Sequence, residues 1–135
     1  MTGLNPEMRF GKKVLMCLKP PKISWEDRYK NPHMHLDHQP DSGRSLSQLG
    51  QLLHNYEFFG VEVNYLDPHQ GLGDQVFTAN LTYGVEGTFV MANMSVEHRK
   101  PEVPIAARWL VDHRYNVCFL PTEDEGRSPI YYEGQ

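Results

Sequence analysis

The spacing of apolar residues predicts alternating strands and helices in the first half of the chain. Residues 14–18 form a continuous apolar run, which is typical of a strand buried on both faces, and two prolines follow it. Across residues 45–59, apolar side chains recur every three or four positions and predict an amphipathic helix, with Gly60 as its stop. The alternating residues 61–66 predict a second strand. Residues 22–44, between the first strand and the helix, show no clear period, and connections of this length are usually functional or disordered.

The second half of the chain continues in the same way. Its predicted elements are a short strand, a hairpin, a helix and a last strand, at residues 76–78, 81–85 paired with 88–91, 102–113 and 117–120. Glu86 and Gly87 provide the hairpin turn. Because strands and helices alternate, we predict an α/β fold. Each half has a helix followed by a short strand that ends near a proline, which suggests a weak internal repeat of about 55–60 residues.

The composition places these segments in one globular domain. With 135 residues and 39% hydrophobic content, the chain has enough apolar side chains for one core. We expect residues 1–12, which are polar and contain glycine, to be a flexible N-terminus and residues 13–135 to form the domain. The net charge of −4, without a basic patch, argues against nucleic acid as a partner.

Two features point to a cytoplasmic protein without a membrane partner. No apolar run approaches the roughly 20 residues of a membrane span, and the N-terminus lacks the apolar core of a signal peptide. Cys17 and Cys118 are the only cysteines, and each lies within an apolar run. We therefore expect two buried free thiols rather than a disulfide.

The most informative stretch is residues 71–80, which read GLGDQVFTAN. Its two glycines predict a sharp turn, and the carboxylate of Asp74, the ring of Phe77 and the amide of Asn80 follow them. Polar groups gathered around an aromatic wall are typical of a pocket for a small ligand. The alternative is a purely structural turn, in which Asp74 is a cap and Asn80 begins the next turn.

Residues 33–38 read HMHLDH and match the HxHxDH pattern of metallo-β-lactamase-type hydrolases. Histidines at this spacing, here His33, His35 and His38, can hold zinc. In that family an apolar strand precedes the motif, whereas here a charged stretch does, and the later histidines do not fall on predicted strand ends. We therefore predict no metal site, although clustered imidazoles can bind zinc adventitiously when zinc is abundant.

Five segments of the sequence resemble, in the same order, the amidinotransferase and dimethylarginine dimethylaminohydrolase family, which has the pentein fold. They are VLMCLKPP, NPHM, GDQVFTAN, HRKPE and YEGQ, and the resemblance extends over about residues 13–135. The last of them is similar to the start of the family's Phe-Glu-Gly-x-Gly-Asp segment. Within the family, the chain is most similar to the arginine dihydrolases. The resemblance implies an α/β-propeller of which about two of five ββαβ-type modules are present.

The resemblance also implies a role for each of five side chains. Asn31 and Asn80 match positions where arginine dihydrolases have asparagine and deiminases have aspartate. Asp74 matches the aspartate that holds the guanidinium group, and Arg99 matches the arginine that pairs with the substrate's α-carboxylate. Glu133 matches the catalytic glutamate that fixes the guanidinium opposite the nucleophile. The implied ligand is an arginine-like small molecule, and no cofactor is implied.

These residue types suit the implied chemistry. Carboxylates grip a planar guanidinium cation through paired hydrogen bonds. A cysteine thiolate attacks the central carbon, a histidine handles protons, ammonia leaves, and water cleaves the covalent adduct. Because an amide offers donors and acceptors, Asn80 can hold the cation and then the neutral ureido group, which permits a second hydrolysis to ornithine. An aspartate at this position would stop the reaction at citrulline.

The sequence departs from the family at its reacting groups. In the family, the catalytic histidine and cysteine follow the Glu-Gly-x-Gly-Asp segment, and this sequence ends before that point. Cys17 and Cys118 lie in apolar runs, where a thiolate is disfavoured, and His98 matches no catalytic position. We therefore expect the N-terminal portion of a guanidino-modifying hydrolase, which is inactive alone.

Two alternatives stay open. One is a non-catalytic module, descended from the family, that oligomerises or binds arginine-like ligands, and the other is a small zinc hydrolase that uses the HxHxDH segment. A partial propeller leaves sheet edges and apolar faces uncovered, so we also expect self-association. The sequence does not choose among arginine, methylated arginines, citrulline and agmatine, although Arg99 favours a substrate with a free carboxylate.

Overall fold

The computed structural model describes residues 13–23, 32–121 and 130–133. Within them, in chain order, lie β1 (Lys13–Met16), α1 (Ser42–Phe58), β2 (Glu62–Tyr65), β3 (Thr82–Val85), β4 (Thr88–Met91), α2 (Glu102–Asp112) and β5 (Asn116–Phe119). Short 3-10 turns occupy Thr78–Asn80 and Glu97–Arg99. The predicted α/β class is therefore confirmed.

The described residues form two β–α–β units. In the first unit, α1 connects β1 to β2, and the two strands pair in parallel from Lys13 opposite Glu62 to Met16 opposite Tyr65. In the second, α2 connects β4 to β5, which are also parallel, while β3 pairs antiparallel with the other edge of β4. The second unit thus has the ββαβ order of the expected module, and the two units correspond to the weak repeat in the sequence.

The first helix begins earlier than the sequence pattern predicts. Asp41 caps α1, because its side chain accepts a hydrogen bond from the backbone N–H of Arg44 at 2.7 Å. Gly60 follows the helix with a φ of +72°, a conformation that glycine adopts without steric cost. The predicted stop is therefore correct, whereas the predicted start at Ser45 overlooked the aspartate cap.

The predicted hairpin between β3 and β4 is confirmed. Glu86 and Gly87 both have positive φ, at +50° and +80°, which is the geometry of a tight two-residue hairpin turn. The twist of this turn matches that of the flanking strands, so the local sequence suffices to set the register.

The strand predicted at residues 76–78 is wrong. This segment forms turns, in which the N–H of Phe77 donates to the carbonyl of Asp74 at 2.9 Å before the 3-10 turn begins. The hydroxyl of Thr78 donates to the carbonyl of Leu15 in β1 at 2.8 Å. The segment therefore contacts the first sheet through side chains instead of pairing as a strand, which is why its β-branched and aromatic residues do not make it one.

One apolar core joins the two units. The buried members of this core are Cys17, Leu66, Leu81, Met91, Ala92, Met94, Val103, Ala106, Ala107 and Leu110. The inner face of α2 is buried, whereas α1 has no buried residue. Both cysteines are free, and Cys17 is buried as expected, but Cys118 is only half-buried because β5 is an edge strand. No described helix is long and apolar enough to cross a membrane.

Candidate functional site

The loop that carries Asp74 is held by side chains rather than by a sheet. Gln75 is fully buried; its Oε1 accepts from the backbone N–H of His69 at 2.7 Å, and its Nε2 donates to the carbonyl of Asp67 at 3.0 Å. The ammonium of Lys19 donates to two carbonyls of the same loop. Buried backbone groups that lack a sheet partner are satisfied in this way, and the loop path is fixed by them.

Close packing explains the glycines of this loop. A Cβ at Gly73 would lie 2.6 Å from the carbonyl oxygen of Lys22, a backbone atom that cannot move aside without shifting the chain. Gly71 has a φ of +88°, which favours glycine. The two glycines therefore let the loop approach the segment that follows β1, and Asp74 comes directly after the closest point.

The carboxylate of Asp74 contacts an imidazole that the sequence analysis did not assign. Its Oδ2 lies 3.1 Å from Nε2 of His98, and the two side chains are only 16% and 18% exposed. An ionised carboxylate only accepts hydrogen bonds, so Nε2 carries the hydrogen in this contact. The two residues lie 24 positions apart, and no local sequence pattern predicts that they meet.

Arg99, which follows His98, is buried and paired with Glu102 at the start of α2. Oε2 of Glu102, whose side chain is 0% exposed, accepts from Nη2 of Arg99 at 3.0 Å and from Nε at 3.2 Å. Nη2 also donates to the carbonyl of Phe77 at 3.4 Å. Burial raises the pKa of Glu102, against the lowering effect of the Arg99 hydrogen bond and charge. These hydrogen bonds engage Nε and Nη2 of Arg99.

The third contact of the candidate site joins Asn80 and Glu133. Nδ2 of Asn80 donates to Oε2 of Glu133 at 3.2 Å, across 53 positions of sequence. Glu133 is placed by its neighbour Tyr132, which exchanges two backbone hydrogen bonds with Asn93 at 2.9 Å and 3.1 Å. The Tyr132 hydroxyl also donates to the carbonyl of Met91 at the end of β4. The short segment 130–133, called the strap below, thus brings the exposed carboxylate of Glu133 into contact with Asn80.

The structure connects the described members of the predicted site through these contacts. Phe77 links them, since its carbonyl accepts from the N–H of Asn80 at 3.1 Å and from Arg99, while its ring is 46% exposed. Asn31 lies outside the described residues. Sequence reasoning gave no functional role to His98 or Glu102. The spacing of Glu102 three residues after an arginine, in the first turn of a helix, was a usable signal for the ion pair.

An apolar groove lies beside the candidate site residues. Its volume is about 450 Å³, and it is lined by β1, by one face of α1 and by residues 76–79. Phe77 is part of its wall, whereas Asp74, Asn80 and Arg99 are not among its lining residues. The groove therefore offers apolar contact next to the polar groups rather than a pocket that already encloses them.

The histidine-rich segment does not assemble a metal centre within the described residues. His35 and His38 meet edge to face, with ring centroids 5.9 Å apart, and Nδ1 of His38 lies 3.8 Å from Oδ1 of Asp37. Across residues 13–23, 32–121 and 130–133, no three His, Cys, Asp or Glu side chains are grouped closely enough to hold a metal ion. The ligand arrangement that a zinc hydrolase needs is therefore not formed by this part of the chain.

This chain shares its fold with several solved structures, and one of them is an arginine dihydrolase. The N-terminal domain of ArgZ, an arginine dihydrolase from the ornithine-ammonia cycle in cyanobacteria, was solved with product bound. It matches 90% of this chain and 42% of its own with a TM-score of 0.71 and 24% identity. A variant of AgrE in a binary complex with L-arginine matches 90% of this chain and 17% of its own, with a TM-score of 0.75 and 24% identity.

A dimethylarginine dimethylaminohydrolase, solved as an adduct with 4-chloro-2-hydroxymethylpyridine, shares the fold more distantly. It matches 81% of this chain and 40% of its own, with a TM-score of 0.62 and 17% identity. No protein-family model and no curated protein matches the sequence. The chain therefore has the pentein fold of the amidinotransferase family, as its motifs predicted. It spans about two fifths of the ArgZ N-terminal domain and a smaller share of full-length ArgZ and AgrE.

Proposed function

We propose that this chain forms the guanidino-binding part of a hydrolase that acts on a C–N bond of arginine or a close relative. The observation that carries the proposal is the 3.2 Å contact between Asn80 and Glu133. Both side chains were assigned to the substrate's guanidinium group from the sequence, and they meet in a chain with the fold of ArgZ. The arginine dihydrolase activity of ArgZ and the L-arginine bound to AgrE favour arginine as the ligand.

Each side chain of the proposed site has a task that suits its chemistry. The carboxylates of Asp74 and Glu133 attract the flat cation and accept its N–H groups. The amide of Asn80 supplies both a donor and an acceptor, and the half-exposed ring of Phe77 covers one face of the cation. We assign Arg99, through Nη1, to the substrate's α-carboxylate. Asn31 is proposed as a further amide contact, from the sequence alone.

The reacting cysteine is proposed to come from residues other than these 135. Cys17 is 1% exposed, and burial raises the pKa of its thiol, which disfavours the thiolate. Cys118 lies in β5 and takes no part in the described hydrogen bonds of the proposed site. In the full reaction, a thiolate would attack the guanidinium carbon and the C–N bond would break, with ammonia leaving. Water would then attack the carbon, and the C–S bond would break to restore the thiolate.

The second proposal, a non-catalytic binding module, shares the binding site and differs in the fate of the ligand. Both predict that the 135-residue chain binds arginine without releasing ammonia. They separate when the chain is supplied with a polypeptide that carries the cysteine and histidine of this fold. Ammonia release by that mixture supports the hydrolase, whereas binding without release supports the module.

Asn80→Asp should change which ligands the chain accepts. An aspartate presents acceptors only, so it holds the arginine cation but repels the ureido oxygen of citrulline. We expect the preference for L-arginine over L-citrulline to rise by about tenfold, the equivalent of roughly one mispaired hydrogen bond. Isothermal titration calorimetry with the two amino acids measures the ratio.

Asn64→Asp is the matched control for this change, because Asn64 lies in β2 and its amide contacts only Glu62 among the hydrogen bonds found for it. It introduces the same charge at a side chain outside the hydrogen bonds of the proposed site and should leave the ratio unchanged. An Asn80→Asp chain that binds citrulline as well as the wild type does would remove Asn80 from the proposed site.

We further propose that the chain self-associates in a reducing compartment, the cytoplasm. Large apolar side chains are exposed at the end of α1 and in the edge strand β5: Phe58 and Phe59 are 76% and 74% exposed, and Phe119 is 63% exposed. Light scattering on a size-exclusion column should therefore give a mass above the 15.6 kDa of one chain. Phe119→Lys should lower that mass, and a wild-type monomer at all concentrations would contradict the proposal.

The two free cysteines support the proposal of a reducing compartment, because thiols stay reduced there.

A further inference from the structure

We propose that His98 is a positioning residue for Asp74 and that it makes guanidinium binding weaken as the solution becomes more acidic. The inference rests on the proposed function, because it concerns how Asp74 receives the cation. It goes beyond the resemblance from which the site was first assigned, since His98 had no role there.

The contact fixes the orientation of the carboxylate. Nε2 of His98 lies 3.1 Å from Oδ2 of Asp74, and both side chains are more than four-fifths buried. A hydrogen bond to an ionised group is stronger and more directional than one between neutral groups, and water competes poorly at this burial. With Oδ2 held in this way, the direction of the second oxygen, Oδ1, is set before a ligand arrives.

His98 is the middle residue of the 3-10 turn Glu97–Arg99, and the residues around it are paired. Its neighbour Arg99 is bound to Glu102 and to the carbonyl of Phe77, so the backbone that carries the imidazole is tied to α2 and to the candidate loop. On the outer side, Lys100 donates to Glu97 at 2.5 Å. The imidazole therefore approaches Asp74 from a turn that the buried Arg99–Glu102 pair ties to α2.

The charges of this region respond to one another. The pKa of Glu102 is raised by burial, lowered by Arg99, raised by the charge of Asp74 and lowered by His98. Within the described part of the chain, the charged groups around His98 include Asp74 from the loop, Glu102 from α2, and Arg99 from its own turn, with the Glu97–Lys100 pair on the exposed side. A change of charge on the imidazole is felt by both carboxylates.

Protonation of His98 and binding of the guanidinium group oppose each other, because both place a positive charge beside Asp74. Histidine is the side chain whose charge ordinarily changes between about pH 5 and 8. When the imidazole is protonated, it neutralises Asp74 and places a positive charge beside the incoming cation. Arginine binding and protonation of His98 therefore oppose each other, and by linkage each weakens the other by the same factor.

Two substitutions at His98 separate positioning from a general structural role. Glutamine carries an N–H donor at a similar reach but does not titrate, so His98→Gln keeps the hydrogen bond and loses the charge change. Alanine loses both. His54→Gln is the control, because His54 is exposed on α1, outside the contacts of the proposed site.

The test is calorimetric titration of L-arginine into the four chains at several pH values. The wild type and His54→Gln should lose about five- to tenfold in affinity between about pH 7.5 and about pH 5.5, the range in which histidine titrates. His98→Gln should bind with near wild-type affinity at the higher pH and lose little toward the lower. His98→Ala should bind about tenfold more weakly than the wild type at the higher pH, as expected for the loss of one hydrogen bond to a charged group, and should lose little further toward the lower pH because it has no imidazole.

Failure of this inference is distinct from failure of the proposed function. Equal pH slopes in the wild type and His98→Gln, or full affinity in His98→Ala, overturn the role of His98 and leave the arginine site intact. If His98→Ala does not fold, the slope of His98→Gln decides alone. If the wild type does not bind L-arginine at any pH, the proposed function falls, and the inference that depends on it falls with it.

Discussion

Arg99→Met should lower the free energy of unfolding by about 3–5 kcal/mol, the range measured when one partner of a buried ion pair is removed. The reason is that Glu102, which is 0% exposed, would keep its charge and lose the guanidinium that accounts for its hydrogen bonds at Oε2. Oε1 of Glu102 already accepts no hydrogen bond from the described residues. A stability loss of this size is a large fraction of the total for a domain of this length. Urea unfolding followed by circular dichroism measures it.

The loss of unfolding free energy in Arg99→Met should depend on pH, and the burial of Glu102 sets the direction of that dependence. Burial raises the pKa of Glu102 in the folded chain, and without Arg99 nothing in the pair opposes that rise. A group with a raised folded pKa favours folding at low pH, where it is neutral, and costs stability as pH rises through the folded value. The gap between the wild type and Arg99→Met should therefore be largest at neutral pH and shrink as the solution becomes acidic.

An exposed ion pair of the same kind is the control. Arg108 and Asp112 pair at 3.0 Å on α2, but their side chains are 79% and 53% exposed. Arg108→Met should therefore change the unfolding free energy by less than about 1 kcal/mol. The double variant Arg99→Met with Glu102→Leu should recover part of the loss, because it removes the unpaired charge. A loss for Arg99→Met as small as that for Arg108→Met would show that the pair does not hold the loop to α2.

The largest effect on binding is expected for Asp74→Asn. It removes a negative charge from a side chain that is 16% exposed, where a contact to a cation is poorly screened by water. We expect the affinity for L-arginine to fall by about 100-fold, which corresponds to roughly 3 kcal/mol and is typical for one partner of a buried charge contact. The variant should remain folded, because an asparagine oxygen still accepts the hydrogen bond from His98. Calorimetry gives the affinity, and circular dichroism gives the fold.

Asp112→Asn controls for the change in net charge. Asp112 lies at the end of α2 and pairs with Arg108, so its loss alters the overall charge equally without altering the proposed site. Its affinity for L-arginine should stay within about twofold of the wild type, since screened charges at that distance contribute little. Equal affinities for Asp74→Asn and Asp112→Asn would exclude Asp74 from cation binding.

The elements that the sequence predicted well are those whose causes are local. The hairpin follows from the Glu86–Gly87 turn, and α2 follows from an apolar face that recurs every three or four residues. The strand predicted at residues 76–78 failed because composition was the only signal. There, the hydrogen bond of Thr78 to Leu15 in β1, across 63 positions of sequence, decides the conformation.

The candidate site also combines features that the sequence predicted with features that it did not. Five short segments in a familiar order predicted the pentein fold, and the solved structures confirm it at 17–24% identity. The same resemblance named Asn80 and Glu133, which the fold brings together by the strap at Tyr132. It gave His98 no role, because a contact between distant positions leaves no pattern in one sequence. The ion pair of Arg99 with Glu102 was visible as helical spacing but was not used.

A crystal structure of the chain grown with L-arginine would show where the ligand binds. We expect the guanidinium group between the carboxylates of Asp74 and Glu133, with its nitrogen atoms about 2.7–2.9 Å from their oxygens and the amide of Asn80 in contact. Arginine bound elsewhere, such as in the apolar groove between β1 and α1, or a site that stays unchanged at saturating arginine, would contradict it.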